Sequence, residues 1–346
     1  MDSQTLQITE DEAALYDRQI RLWGLEAQQR MRNSSILISG IRGLSNEVCK
    51  NLVLAGVGSV TIIDHNIVTE EDLGAQFLIT EQDLGKNRAL ASANGVRHLN
   101  PRVVVKTDTD DIREKSEEFF ENYDLICLTD SDPDTMIHVD RICRKYNKKF
   151  YSACTYGFFG YIFSDLNHHD YIQEKKTVVP SKEEPEITRS KKNEEFVSLE
   201  TALSKNDWDQ ISVKKLNKIS RVFWSVLILW KFQQEEKRLP TANEIDMAKL
   251  KSLKDSLFTS NNINVSTVTD EFLRTFILSI TAELSPVCAI LGGILAQDIL
   301  NTLSQRELPI NNFFLCDGIE GKFWGDISSR TGKENSLSNE LRSRKI

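Results

Sequence analysis

The stretch SILISGIRGLSNEVCKNLVLAGVGSVTIID, Ser35 to Asp64, decides the fold. An apolar run, SILIS, leads into a loop holding Gly40 and Gly43. A helix pattern follows from about Leu44 to Ala55, and a second apolar run, SVTIID, ends at Asp64. Strand, loop, helix and strand in that order make a compact β-α-β unit. A dinucleotide-binding loop would carry G-x-G-x-x-G here, and this chain has Gly40, Arg42 and Ser45 at those three places. Gly40 keeps the turn, and Ser45 is small enough for close helix–strand packing. Arg42 puts a long side chain where the backbone would have to approach a phosphate. The fold signal therefore survives better than the binding signal. Loop arginines are usually solvated, which is the plain expectation for Arg42. Asp64 lies 24 residues beyond Gly40, close to the spacing of about 20 for an acid that holds a ribose.

Outward from this unit, further strands are expected at RVVVKT (102–107), DLICLT (124–129) and KFYSAC (149–154), separated by helices around 86–99 and 134–146. This alternation predicts an α/β fold of Rossmann-like type, a largely parallel sheet covered by helices. The pattern stops near Leu166. Nine of the fifteen residues in SKEEPEITRSKKNEE (181–195) are charged, so a solvated linker is expected there. A buried helix is expected at 219–232, a more amphipathic one at 242–258, and a long apolar helical pattern over 271–303 broken at Pro286. A last strand, NFFLCDG, ends at Gly318. The expected organisation is a flexible start (1–8), a first part of the α/β domain (9–167), a charged, mostly helical insertion (168–270), a return to the domain (271–325) and a mobile tail (326–346).

Composition narrows the function classes. The 346 residues are 40% hydrophobic and 27% charged, with a net charge of −8, which argues against nucleic acid as a partner. The apolar run VCAILGGILA (287–296) is about half of a roughly 20-residue membrane span and reads as a buried helix, so no membrane partner is expected. The start of the chain is acidic and has no apolar core, which points to an intracellular protein. Six scattered cysteines form no C-x-x-C, and no metal site is expected; the adjacent His168 and His169 lack further ligands.

Near the start, Thr9-Glu10-Asp11-Glu12 is a capping box for a helix with Tyr16, Ile20 and Trp23 at helical spacing. Gly24 interrupts it, and a short helix is expected over 25–32. Arg18 and Arg21 lie three apart on that first helix. Composition alone makes them a solvated basic edge above an apolar stripe.

Four stretches occur in order: YDRQIRLWGLEAQQRM, GLSNEVCKNLVLAGVGSVTIID, DLGAQFLI with DLGKNRA, and SPVCAILGGILAQDI. Together they resemble the adenylation domain of the ubiquitin-like-protein activating enzymes and their bacterial relatives, over roughly 9–166 and 271–320. Active members carry G-x-G-G-L-G, and here Arg42 and Ser45 replace two glycines. They carry D-x-D and then N-L-x-R-Q-F. Here Asp64 stays, Asn66 replaces the second Asp, Asp72 replaces the Asn, and Ala75 replaces the phosphate-binding Arg. Lys86 still matches a lysine near the phosphates. Asp130 survives as a metal-binding acid without its Asn and Arg neighbours. Two cations that would offset triphosphate charge are gone. Gly40, Gly43, Asp64, Lys86 and Asp130 are therefore read as vestiges of a nucleotide site. Their plain roles are loop turns, a strand-end cap, a surface lysine and a loop carboxylate.

Arg18 is the exception. In heterodimeric members the arginine of this DRQ reaches across the dimer to the ATP of the larger subunit. An arginine supplied in trans is always charged, makes bidentate phosphate contacts, and arrives only on assembly. The family also needs a thioester cysteine in a separate domain, and 167–270 contains none. The resemblance thus implies a regulatory subunit, inactive alone. Its expected partners are a larger catalytic subunit, which would hold ATP, Mg and the cysteine, and a ubiquitin-like modifier. The overall resemblance, with length, favours SUMO as that modifier, and the same resemblance implies a nuclear location. Three alternatives stay open: a subunit for another ubiquitin-like modifier, a self-sufficient homodimeric adenylating enzyme, and an NAD-dependent oxidoreductase suggested by Asp64.

Overall fold

A computed structural model describes residues 7–177, 186–204, 216 and 219–327. Of the segments expected to be mobile, 1–8 and 326–346, residues 1–6 and 328–346 lie outside the described residues, and Asp326 and Ile327 belong to the last strand. The elements up to the end of the first β-α-β unit are α1 (Glu10–Leu15), α2 (Asp17–Trp23), α3 (Leu25–Arg32), β1 (Ser35–Ser39), α4 (Gly43–Ala55) and β2 (Ser59–Ile63). Next come α5 (Arg88–Leu99), β3 (Val104–Asp108), α6 (Glu117–Glu121), β4 (Leu125–Thr129), α7 (Pro133–Lys145), β5 (Lys149–Tyr156), β6 (Phe159–Asp165), β7 (His168–Thr177) and β8 (Glu186–Glu195). The chain continues with α8 (Leu199–Leu203), α9 (Arg221–Glu236), α10 (Glu244–Ser260), α11 (Asp270–Ser279), α12 (Ser285–Ser304), β9 (Phe313–Asp317) and β10 (Lys322–Ile327).

The main sheet has the order β10-β9-β6-β5-β4-β1-β2-β3. The five strands β3, β2, β1, β4 and β5 pair in parallel, while β6, β9 and β10 add antiparallel. Strands β1, β2, β4 and β5 are buried on both faces because both faces are covered, whereas the edge strand β3 leaves Val104 and Lys106 exposed. Along β1, Ile36 and Ile38 enter the core beneath α4 and α12, and Leu37 enters the core on the opposite face. Strand β4 divides in the same way, with Leu125 and Cys127 on one side and Ile126 and Leu128 on the other. A period-2 strand buried on both sides reads as a continuous apolar run, which is why SILIS and LICLT were visible as strands.

Three sequence expectations change. The antiparallel strand β6 continues the sheet just before the β-α pattern stops. Charged residues 186–195, expected in a solvated linker, form β8, which pairs with β7 in a two-stranded hairpin. A hairpin satisfies its backbone through cross-strand bonds and needs no apolar run. The stretch 178–185 lies outside the described residues. Finally, the break expected at Pro286 falls at 280–284, and α12 takes Pro286 into its first turn and runs unbroken through Gly292 and Gly293. Gly292 sits where a Cβ would lie 2.6 Å from Glu47 Cβ, so this glycine lets α12 and α4 approach closely. At 20 residues α12 is long and apolar enough to span a membrane, but much of its surface packs inside the fold.

The N-terminal helix is two helices. The capping box forms, with Thr9 Oγ1 accepting the Glu12 amide at 3.2 Å and Glu12 accepting the Thr9 amide at 3.1 Å. The chain breaks at Tyr16, which ends α1 and opens α2. Of the expected apolar stripe only Tyr16 is buried, while Ile20 and Trp23 are half-buried. The Tyr16 ring lies against Gly56, and its hydroxyl accepts from Asn100 Nδ2 at 2.7 Å. Tyr16→Phe leaves one buried Asn100 donor without a partner, so thermal or urea unfolding should show a loss of roughly 1–2 kcal/mol.

Candidate functional site

The parallel strand order 3-2-1-4-5 reverses direction between β1 and β4. The loop after β1 leads to α4 on one face, and the loop after β4 leads to α7 on the other. In such sheets a crevice opens outside the carboxyl ends of the strands at this reversal. A cavity of about 300 Å³ lies there, lined among others by Gly40, Arg42, Asp64, Thr129, Asp130 and Cys154.

The loop SGIRG is held by its own neighbours. Gly40 has φ +82°, and a Cβ there would sit 2.3 Å from the Thr129 carbonyl oxygen, so only glycine fits. Thr129 Oγ1 donates to the Gly40 carbonyl at 2.6 Å. Asp64 is buried, and its carboxylate accepts the Ile41 amide at 2.8 Å and the Asn66 amide at 2.8 Å. The acid that could bind a ribose is therefore spent on the loop and on the turn that follows β2. Ser45 Oγ accepts the Arg42 amide at 2.7 Å and helps close the first turn of α4.

Arg42 departs from the solvated expectation. Its guanidinium reaches Asp130 Oδ2 at 2.8 Å and Glu283 Oε2 at 3.4 Å. Burial works to lower its pKa, but Asp130 and Glu283 outweigh burial and raise it. Glu283 also accepts the Gly43 amide at 3.0 Å. Burial raises the Glu283 carboxyl above its ordinary value, against the opposing pull of Arg42. This glutamate comes from the turn before α12, some 240 residues beyond Gly43. No spacing rule connects the two, so reading the sequence missed it.

The other replaced positions are also structural. Asp72 is buried, accepts the Thr69 amide at 2.8 Å and Gln76 Nε2 at 2.9 Å, and pairs with Arg88 at 2.9 Å. Ala75 packs its methyl near Gly43, where an added Cβ would lie 3.1 Å away. Lys86 is exposed and pairs with Asp83 at 2.9 Å, away from the cavity lining. The fold thus brings Gly40, Gly43, Asp64 and Asp130 together and leaves out Lys86 and Arg18. These residues do not fit a triphosphate with its metal: Arg42 crosses the loop, Glu283 holds the Gly43 amide, and Asp130 is neutralised by Arg42. Among the described residues no cluster of His, Cys, Asp or Glu is arranged to hold a metal ion.

Arg18 lies on the outside of α2, exposed, and without a hydrogen bond or ion pair to the described residues. Arg21, three residues on, is paired with Asp17 at 3.0 Å. On the same segment Leu15, Leu22 and Leu25 are 59%, 73% and 55% exposed, beside the exposed Asp17–Arg21 pair. All six cysteines are free and buried. Burial pushes the Cys49 thiol up to about 12 and the Cys288 and Cys316 thiols up to about 11. A nucleophilic thiolate needs the opposite environment.

These features define a Rossmann-like adenylation-type domain whose loop is crossed by Arg42 and whose Gly43 amide is taken by Glu283. The chain belongs to the ThiF family, which it matches over residues 16–337. It is 42% identical over 329 residues to the SUMO-activating enzyme subunit 1 of Xenopus tropicalis, covering 90% of this chain and 94% of that one. It is 40% identical over 330 residues to the subunit of the same name in Homo sapiens, with 91% and 94% covered. Among solved structures it is similar in fold to PaaA (TM-score 0.56, 14% identity, covering 94% of this chain and 75% of that one). It is also similar in fold to E. coli MccB with succinimide (TM-score 0.53, 14% identity, covering 90% and 70%).

The six buried thiols generate a prediction. In the native protein at pH 8, all six cysteines should react with a thiol reagent far more slowly than free cysteine, and all six should react at once after unfolding in guanidinium. One fast native thiol would remove the case that this chain lacks a thioester nucleophile.

Proposed function

We propose that this chain is the smaller, regulatory subunit of a heterodimeric SUMO-activating enzyme and performs no chemistry alone. The larger subunit holds ATP, Mg and the reacting cysteine. In the assembled enzyme the modifier's C-terminal carboxylate displaces pyrophosphate to form an acyl-adenylate. The partner's thiolate then displaces AMP to form the thioester. Kinship with subunits named for SUMO activation supports the modifier. The cysteine-free stretch 167–270 supports leaving the thioester to the partner. A nuclear location goes with this reading. Two short basic clusters occur, RSKK (189–192) and RSRK (342–345); Arg189 of the first is engaged with Glu174 at 2.9 Å, and the second lies outside the described residues.

One observation carries the reading: an exposed, unpaired arginine two residues after a buried anchor. Tyr16 fixes the start of α2, so Arg18 leaves the domain from a defined place among Leu15, Leu22 and Leu25. Exposed leucines on the segment that carries a cation suit an interface that dries on assembly and delivers the charge to a partner's site. This chain's contribution is that guanidinium, the face around it, and part of the surface that holds the modifier. A homodimeric adenylating enzyme would need a loop able to take phosphates, and an oxidoreductase an open glycine turn with a free ribose acid. Arg42 and the engaged Asp64 speak against both.

Arg18→Ala in the reconstituted heterodimer should slow ATP–pyrophosphate exchange about 1,000-fold or more, in the range of arginines supplied in trans. Dimer formation by sedimentation should persist. An unchanged exchange rate removes Arg18 from the mechanism.

A further inference from the structure

The crevice keeps its backbone and loses its access. Gly40 still makes the turn, α4 still begins at Gly43, and the Gly43 amide still points to an acceptor outside the helix. The first turn of a helix directs unsatisfied N–H groups and a partial positive charge at whatever lies ahead of it, and anions gather there. In this chain a carboxylate of the same chain already sits at that position. Glu283 Oε1 is 3.0 Å from the Gly43 nitrogen, and its other oxygen faces the Arg42 guanidinium at 3.4 Å. Arg42 is in turn held by Asp130 at 2.8 Å. The Glu283 side chain is about 10% exposed and Arg42 about 20%, so these charges meet in a partly desolvated place where pairing is strong.

We propose that Glu283 is a built-in anion that plugs the phosphate position of this chain's own crevice, with Arg42 and Asp130 as its clamp. The site is closed by an autoinhibitory contact and not by collapse of the loop. The inference rests on the reading that this chain holds no nucleotide itself, and it adds the cause. Two features separate a plug from an ordinary helix cap. The acceptor is remote: Ser45 Oγ serves the Arg42 amide from within the turn, whereas the Gly43 amide is taken by a residue 240 positions away. The glutamate also brings an arginine with it: remove the carboxylate and Arg42 keeps only Asp130, which is 42% exposed at the rim. A free amide and a half-released guanidinium beside a cavity of about 300 Å³ would then recreate an anion site.

The experiment titrates inorganic pyrophosphate, without added metal, into the full-length chain by calorimetry. Wild type should show no binding in the low millimolar range. Glu283→Ala should bind at least tenfold more tightly than any wild-type signal, and Glu283→Ala with Arg42→Ala should lose that gain. Thermal unfolding confirms that each variant is folded. If Glu283→Ala does not fold, Glu283→Gln removes the charge at nearly the same volume and should gain about threefold. A folded variant with no gain overturns the plug and leaves the proposed function standing. Wild type binding as tightly as the variant overturns both, because the crevice would then be open.

Discussion

Strands β1, β2, β4 and β5 must each serve two cores at once. Ile36 and Ile38 face α4 and α12, while Leu37 between them faces the opposite layer. Any one-residue slip would send each side chain to the wrong face, so register is fixed along the whole sheet. Everything functional follows from that fixed register. It places the ends of β1 and β4 side by side, with Ser39 opposite Leu128. It therefore sets the loop of Gly40 against Thr129, and the crevice opens where the strand order reverses.

Within that crevice each surviving polar group has been given an internal partner. Asp64 caps the loop and the next turn, Asp130 neutralises Arg42, and Glu283 takes the Gly43 amide. A buried charge without a partner is costly, so these groups are stabilised by partners from their own chain. The substitutions are mutually consistent. Arg42 in place of a glycine supplies the cation, and Glu283 answers it from the far side of the fold. Arg18 stands outside these pairs, exposed on α2.

Much of this was legible in the residues. The β-α-β unit, the break before α12, the capping box at Thr9 and the buried free cysteines all follow from local pattern. The cost of Arg42 to a phosphate loop also follows from its position beside Gly40. Other features were not legible. Strand β6 and the β7–β8 hairpin carry no β-α alternation, and β8 is rich in charge. The break at Tyr16 is invisible because the helical spacing runs straight through it. Arg42 read as solvated because its two acidic partners lie 88 and 241 residues away in the chain.

The sequence by itself determined the parallel sheet, the degenerate loop, the lack of cysteine in 167–270 and the arginine at position 18. Periodicity, composition and local chemistry act over a few residues and can be read there. Only the tertiary structure decided that Glu283 closes the crevice, that Asp64 is spent on the loop, and that Arg18 is left free. Those are pairings between distant segments, and charge partners are chosen by proximity in space once the core has set the strand register.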